Sequence, residues 1–231
     1  METDNYEMTI VEHLEELRGR LIKSIIAVVI AGFVAYFFSE ELMEILTRPV
    51  GELVFLRPTE AFFTYIKISI FAGIILALPF LLYQFWSFIL PALHDHEKKY
   101  INILLPISLF MFALGIAFGF AVVLPLGMKF LLNFGSEELS AMISISHYIS
   151  FLLTLLLPFG LIFQLPLVLN LMIKLGLIKI ETLSLFRKYI IVLIFVVSAI
   201  LTPPDIITQL FMAGPLILLY EGSILIAKLI N

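Results

Sequence analysis

Residues 100–128, YINILLPISLFMFALGIAFGFAVVLPLGM, carry no charged side chain, and as a helix they reach roughly 43 Å at a rise of about 1.5 Å per residue. The hydrocarbon core of a bilayer is about 30 Å thick, so a run of this length and purity belongs inside a membrane. Five more uncharged stretches surround it, at residues 24–39, 68–93, 139–173, 189–204 and 206–220. Only helices and closed barrels satisfy their backbone polar groups in lipid, and continuous apolar runs without strict alternation select the helix. The chain therefore reads as an all-α integral membrane protein with six transmembrane helices. It forms a single membrane domain over residues 1–231, in which 1–20 is a cytoplasmic amphipathic segment and 21–228 the six-helix region.

Composition agrees. The 231 residues are 61% hydrophobic and 14% charged, with a mean hydropathy of +1.11, far outside the range of soluble domains. There is no cysteine, so disulfide and thiol chemistry are absent. No Gly-x-x-x-x-Gly-Lys-Ser/Thr stretch occurs, which sets nucleotide hydrolysis aside. The first apolar run is preceded by charged residues and lacks a small-residue cleavage site after it, so it is not read as a removable signal. Ile10, Leu14, Leu17 and Leu21 recur at helical spacing, which predicts an amphipathic helix on the membrane surface before the chain turns inward.

Basic residues fix the expected orientation. Arg18, Arg20, Lys23, Lys98, Lys99, Lys174, Lys179, Arg187, Lys188 and Lys228 fall on one side of the six spans, whereas Arg48, Arg57 and Lys129 fall on the other, with Lys67 inside a span. The positive-inside rule then places both termini in the cytoplasm. His13 to Arg20 and His94 to Lys99 share that face, while 39–60 and 125–146 face outward. After the sixth span little chain remains, so loops and the amino-terminal segment are expected to carry recognition.

The last two spans look short: their uncharged stretches cover roughly 24 Å and 22 Å, which predicts local thinning of the bilayer or polar ends drawn into it. Snorkelling of long flanking side chains is the plainer alternative. Thr202-Pro203-Pro204-Asp205 reads as a tight outer turn. Prolines at 79, 106, 158, 166 and 215 interrupt helix hydrogen bonding and should bend the spans around a concave face. Lys67, Gln84, Gln164, Asn170 and Gln209 are costly against lipid, so they should line that concavity or pair with one another.

Two acidic segments lie on the basic rim: His13-Leu14-Glu15-Glu16-Leu17-Arg18 and His94-Asp95-His96-Glu97. Carboxylates held there suggest a receptor for a cationic ligand, since a guanidinium is a planar fork that a carboxylate accepts bidentately and a lysine cannot copy. One such contact contributes about 1.5–3 kcal/mol, so its loss weakens binding by roughly one to two orders of magnitude. The plain alternative is that Glu12, Glu15 and Glu16 pair along a solvated helix with Arg18, Arg20 and Lys23, for instance Glu16 with Arg20 at i,i+4. His94, His96 and Glu97 have a composition that a transition metal can use, but too few ligands lie nearby. A histidine tuning Glu97 is the simpler reading, and no metal or cofactor is expected.

Several dispersed motifs then agree at once. His13-Leu14-Glu15-Glu16-Leu17-Arg18, Phe62-Phe63-Thr64-Tyr65-Ile66-Lys67, Pro79, Tyr83-Gln84-Phe85-Trp86-Ser87-Phe88-Ile89-Leu90-Pro91-Ala92-Leu93, His96-Glu97 and Thr202-Pro203-Pro204-Asp205 occur in order along essentially the whole chain. In these the chain resembles TatC, the signal-peptide receptor subunit of the twin-arginine protein translocase. The resemblance implies a non-enzymatic receptor for twin-arginine signal peptides in the inner (cytoplasmic) membrane. It further implies work with TatA-like and TatB-like single-span partners and other copies of itself to export folded proteins on the proton-motive force. The positions it assigns to signal contact are Glu16, Arg18, Phe88, His96 and Glu97. Those it assigns to partner organisation are Pro49 on the outer side, and Thr202 and Gln209 on the fifth and sixth spans. Lys67, Gln84, Gln164 and Asp205 complete the intramembrane polar set.

Where many relatives place a glutamate in the fourth span, this chain has Gln164, which hydrogen-bonds but does not titrate. Polarity alone is expected to suffice there. The expected sequence of events is docking of the signal's arginines at Glu16 and Glu97, sliding of its apolar segment along the concave face near Gln164, and assembly of partner helices at the short spans. A proton-coupled small-molecule carrier using Lys67, Asp205 and Glu221 is the alternative, although such carriers usually show paired halves and midplane charges. An intramembrane hydrolase built on Ser144, Ser146 and His147 ranks lower still, for want of a strained nucleophile turn.

Overall fold

The computed structural model describes residues 10–51, 53–89, 101–133, 142–201 and 206–230. Among them, six helical spans are long and apolar enough to cross a membrane: Val11–Tyr36, Pro58–Ile89, Ile103–Leu132, Ile145–Lys174, Ile180–Ile200 and Ile206–Lys228. The first is α1 (Ile10–Tyr36) and the second α3 (Pro58–Ile89), with the short α2 (Ser39–Thr47) between them.

Two spans are interrupted where proline demands it. The third is α4 (Ile101–Phe118), a single π turn (Gly119–Val123) and α5 (Leu124–Asn133). Leu124 N–H bonds to the Gly119 carbonyl, a wider i→i+5 closure that accommodates Pro125, which has no N–H to give and whose ring crowds the carbonyl four residues back. The fourth span is α6 (Ile145–Ile162) followed by α7 (Leu165–Lys174), with Phe163 and Gln164 at the break. Pro166 sits in the first turn of α7, where a missing N–H costs nothing. The fifth and sixth spans are α8 (Ile180–Leu201) and α9 (Ile206–Ile230).

The core runs along α6 and α9: Tyr148, Leu152, Leu156 and Phe159 of α6 join one buried cluster with Met212, Leu216, Tyr220 and Ile224 of α9. By contrast, α1 lies at the margin. Ala35 is its only buried apolar side chain among the described residues, and a Cβ on Gly73 of α3 would fall 2.5 Å from the Gly32 Cα of α1. The two backbones therefore touch through glycine, the mode of close helix approach common in membranes. Val29 and Phe33 are 64% and 69% exposed on the opposite face, where lipid is their natural solvent.

Three expectations change. There is no turn between an amphipathic surface helix and the first span, because α1 continues unbroken from Ile10 to Tyr36. The last two helices extend past their uncharged stretches, to 22 residues in α8 and 25 in α9, since the helix continues through Arg187, Lys188, Glu221 and Lys228. They remain the two shortest spans, at 21 and 23 residues against 26 to 32 for the rest. Moreover, Arg187 Nε donates to Glu221 Oε1 at 2.9 Å, so the charged boundaries of both stretches meet at one level. The apolar slab between Ile206 and Glu221 stays at roughly 22 Å. Finally, the concave face is a groove of about 680 Å³ beside α1, α2, α3 and α4, walled by Phe38, Leu42, Phe71, Ile75 and Phe112 with Leu156 of α6 at its floor. Among the described residues it is lined by apolar side chains alone, and Gln164 is not part of it.

Candidate functional site at the start of α1

The amphipathic stripe of α1 is turned the opposite way from that of a surface helix of a soluble protein. Leu14, Leu17 and Leu21 point outward at 58%, 41% and 57% exposure, whereas His13, Glu16 and Arg20, one turn apart in succession, face the end of α3. The His13 ring stacks on Phe88 with centroids 4.4 Å apart and planes 18° off parallel. One turn on, Arg20 donates to Glu16 Oε1 from both Nε at 2.9 Å and Nη2 at 2.6 Å. Its Nη1 reaches across to Gln84 Oε1 of α3 at 2.9 Å. The i,i+4 pair is thus real but not solvated along one helix: both side chains are about three-quarters buried, and a second helix completes the network.

Glu16 is incompletely matched. Its Oε2 is buried and has no hydrogen-bond partner among the described residues, although a carboxylate in such a place ordinarily accepts several bonds. Beside it lies a recess of about 300 Å³ lined by Glu16, Gly19, Arg20 and Lys23. A Cβ on Gly19 would meet nothing within 4 Å, so this residue leaves room for an arriving side chain. Of the other expected signal contacts, Phe88 is present in the stack, and Arg18 is exposed outside the cluster. His96 and Glu97 lie outside the described residues, as do Thr202 and Asp205.

The intramembrane polar residues pair across or along helices. Lys67 donates to Ser150 Oγ at 2.8 Å and Ser146 Oγ at 3.4 Å. Gln164 Nε2 donates to the Ser108 carbonyl at 2.9 Å, while Trp86 Nε1 donates to the Ser108 hydroxyl at 2.8 Å. Ser108 thereby joins α3, α4 and the α6–α7 break. Asn170 bonds to the Pro166 carbonyl at 2.6 Å and Gln209 to the Phe195 carbonyl at 2.9 Å. At the far end of the bundle, Val54 exchanges backbone bonds with Ile143 and Ile145 at 3.0 and 2.9 Å. There Glu60 Oε2 accepts from Ser144 and from Leu56 N–H, and Tyr148 OH donates to the Leu46 carbonyl at 2.7 Å. Pro49 is exposed in the turn after α2.

Sequence reading missed several members of these networks, Ser150, Glu60 and Tyr148 among them, and three more lie at or near the site. Arg20 was weighed only as a partner along its own helix, His13 carried no assigned contact, and Ser108 gave no signal, because a lone serine in an apolar run is unremarkable. The i,i+3,i+7 spacing of His13, Glu16 and Arg20 was the available clue to the first two.

A family model described as Sec-independent protein translocase protein (TatC) matches residues 12–215. The chain belongs to the TatC family. Among similar proteins, the Sec-independent protein translocase protein TatC of Carboxydothermus hydrogenoformans is 47% identical over 229 residues, covering 97% of this chain and 94% of that one. That of Aquifex aeolicus is 48% identical over 230 residues, covering 96% and 95%. A crystal structure titled as the twin arginine translocase receptor TatC superposes with a TM-score of 0.87 at 49% identity, covering 94% of this chain and 99% of that one. A second, of the same receptor in DDM, matches equally at 47% identity. The chain is therefore a multi-pass membrane component of a Sec-independent protein translocase, not an enzyme, and TatC membership decides against both the hydrolase and the small-molecule carrier.

Proposed function

We propose that this TatC-family chain is the receptor subunit that binds twin-arginine signal peptides at the cytoplasmic rim. In this reading both termini are cytoplasmic in the inner membrane, and the bound receptor nucleates assembly with TatA-like and TatB-like single-span partners and further copies of itself. Export of folded proteins then draws on the proton-motive force. The observation that carries the reading is the carboxylate of Glu16, held by Arg20 beside an open recess with one oxygen unmatched among the described residues. Such a group calls for a charged donor, and an arginine fork fits it best. Glu97 supplies the second carboxylate, and Arg18, Phe88 and His96 are the further signal contacts in this reading. Thr202, Asp205 and Gln209 on the thin α8–α9 side, and Pro49 on the outer side, organise the partners.

Binding of a fluorescent twin-arginine peptide to the purified chain in lipid nanodiscs tests this. Glu16→Gln and Glu97→Gln should each weaken affinity by about 10- to 100-fold, since each removes one charge-assisted contact of about 1.5–3 kcal/mol. A photo-crosslinker at position 97 should capture the twin-arginine peptide and not its twin-lysine version. Unchanged affinity in both variants removes the site from this face.

A further inference from the structure

The carboxylate of Glu16 already holds a cation. Among the described residues its recess is lined by Glu16, Gly19, Arg20 and Lys23, and Arg20 occupies the oxygen that an arriving guanidinium needs. Arg20 is the one equipped to yield it. It grips Glu16 end-on, with Nε and Nη2 both on the same oxygen at 2.9 and 2.6 Å, and does not fork across the two carboxylate oxygens as the best geometry would. That grip leaves Oε2 buried without a donor among the described residues. Arg20 also has an alternative acceptor already engaged, the neutral Oε1 of Gln84 at 2.9 Å on the neighbouring helix.

We propose that Arg20 is an internal occupant of the receptor site: it holds Glu16 in the signal-free state and moves onto Gln84 when a signal arginine takes the carboxylate across both oxygens. The proposal rests on the reading of Glu16 as a signal contact. Its consequence is specificity. A competitor already in place rejects every cation that pairs no better than Arg20 does, and a lysine, a point charge without a fork, falls below that threshold. Discrimination between arginine and lysine is then set partly by a repulsive element built into the protein.

The experiment compares nanodisc-held wild type with Arg20→Gln, Arg20→Lys, Gln84→Leu and Glu16→Gln, titrated with twin-arginine and twin-lysine peptides at two salt concentrations. Arg20→Gln should bind the twin-arginine peptide about tenfold more tightly, the effect of removing one competing charge-assisted contact. The twin-lysine peptide should gain more, and affinity should fall more steeply with salt, because the uncovered carboxylate now interacts at full charge. Gln84→Leu should weaken twin-arginine binding by removing the acceptor that receives Arg20, and adding Arg20→Gln should reverse that loss. If Arg20→Gln does not yield folded protein, Arg20→Lys carries the test, with a gain of a few-fold expected. No gain in the testable Arg20 variant, with Glu16→Gln still defective, overturns the competitor and leaves the receptor reading standing. Full affinity in Glu16→Gln overturns the receptor reading itself.

Discussion

The two ends of the bundle hold comparable polar clusters and treat them differently. At the α2 end, Glu60 accepts from a serine hydroxyl and a backbone N–H through one oxygen, and the same segments exchange paired backbone bonds at Val54. One main-chain N–H and one serine hydroxyl from a distant segment fix that carboxylate, so it serves as a scaffold. At the α1 end, Glu16 is held among the described residues by the long side chain of Arg20 from one side, with its other oxygen unmatched. A carboxylate held by a backbone N–H and a serine hydroxyl is fixed in place, whereas one held by a long side chain can exchange partners. The difference lies in what holds the group, not in the group itself.

The largest effect should come from breaking the mount on which the α1 end depends. Gly73→Leu forces side-chain atoms into a space where even a Cβ would lie 2.5 Å from Gly32. Overpacking of this kind costs about 3 kcal/mol, and more where backbone blocks relief. Thermal melting in detergent should drop steeply, and signal binding should vanish with it, because the Glu16–Arg20 pair loses its register with Gln84. A variant that melts normally and binds normally would show that α1 does not need α3 at this depth.

Glu60→Ala sharpens the contrast at the other end. It leaves Ser144 and Leu56 N–H without their acceptor, a loss of about 1–3 kcal/mol. Stability should fall while twin-arginine affinity stays within about twofold. A large affinity loss at unchanged stability would show the two ends to be coupled, not separate. The smallest effect should fall between them, at Ser108: Trp86→Phe deletes one buried hydrogen bond, worth about 1 kcal/mol. Gln164→Leu deletes the other, and here export is the informative assay, since the polar requirement predicts a loss of transport beyond the modest change in melting. Normal export by the leucine variant would end the claim that polarity at 164 is needed.

Much of the chain was legible before folding because lipid imposes a coarse rule: a long uncharged run is a span whatever it packs against. Particular residues show where that rule stops. Leu14, Leu17 and Leu21 made the start of α1 look like a surface helix, yet a polar stripe facing a neighbour and an apolar stripe facing outward give the same periodicity. Lys188 and Glu221 bounded the last two uncharged stretches, but helices do not end at charges, so α8 and α9 ran on. Pro125 warned of irregular backbone without revealing that a π turn would absorb it.

Sequence alone determined the solvent, the number of spans and the residue types available for chemistry, because hydration free energy depends on composition within a short window. Tertiary structure decided which polar groups meet. That Arg20 reaches Gln84 from a position 64 residues away, that His13 finds Phe88, and that Glu16 keeps one oxygen unmatched all depend on where α1 is set against α3. A glycine contact of backbone on backbone fixes that placement, and no local pattern encodes it.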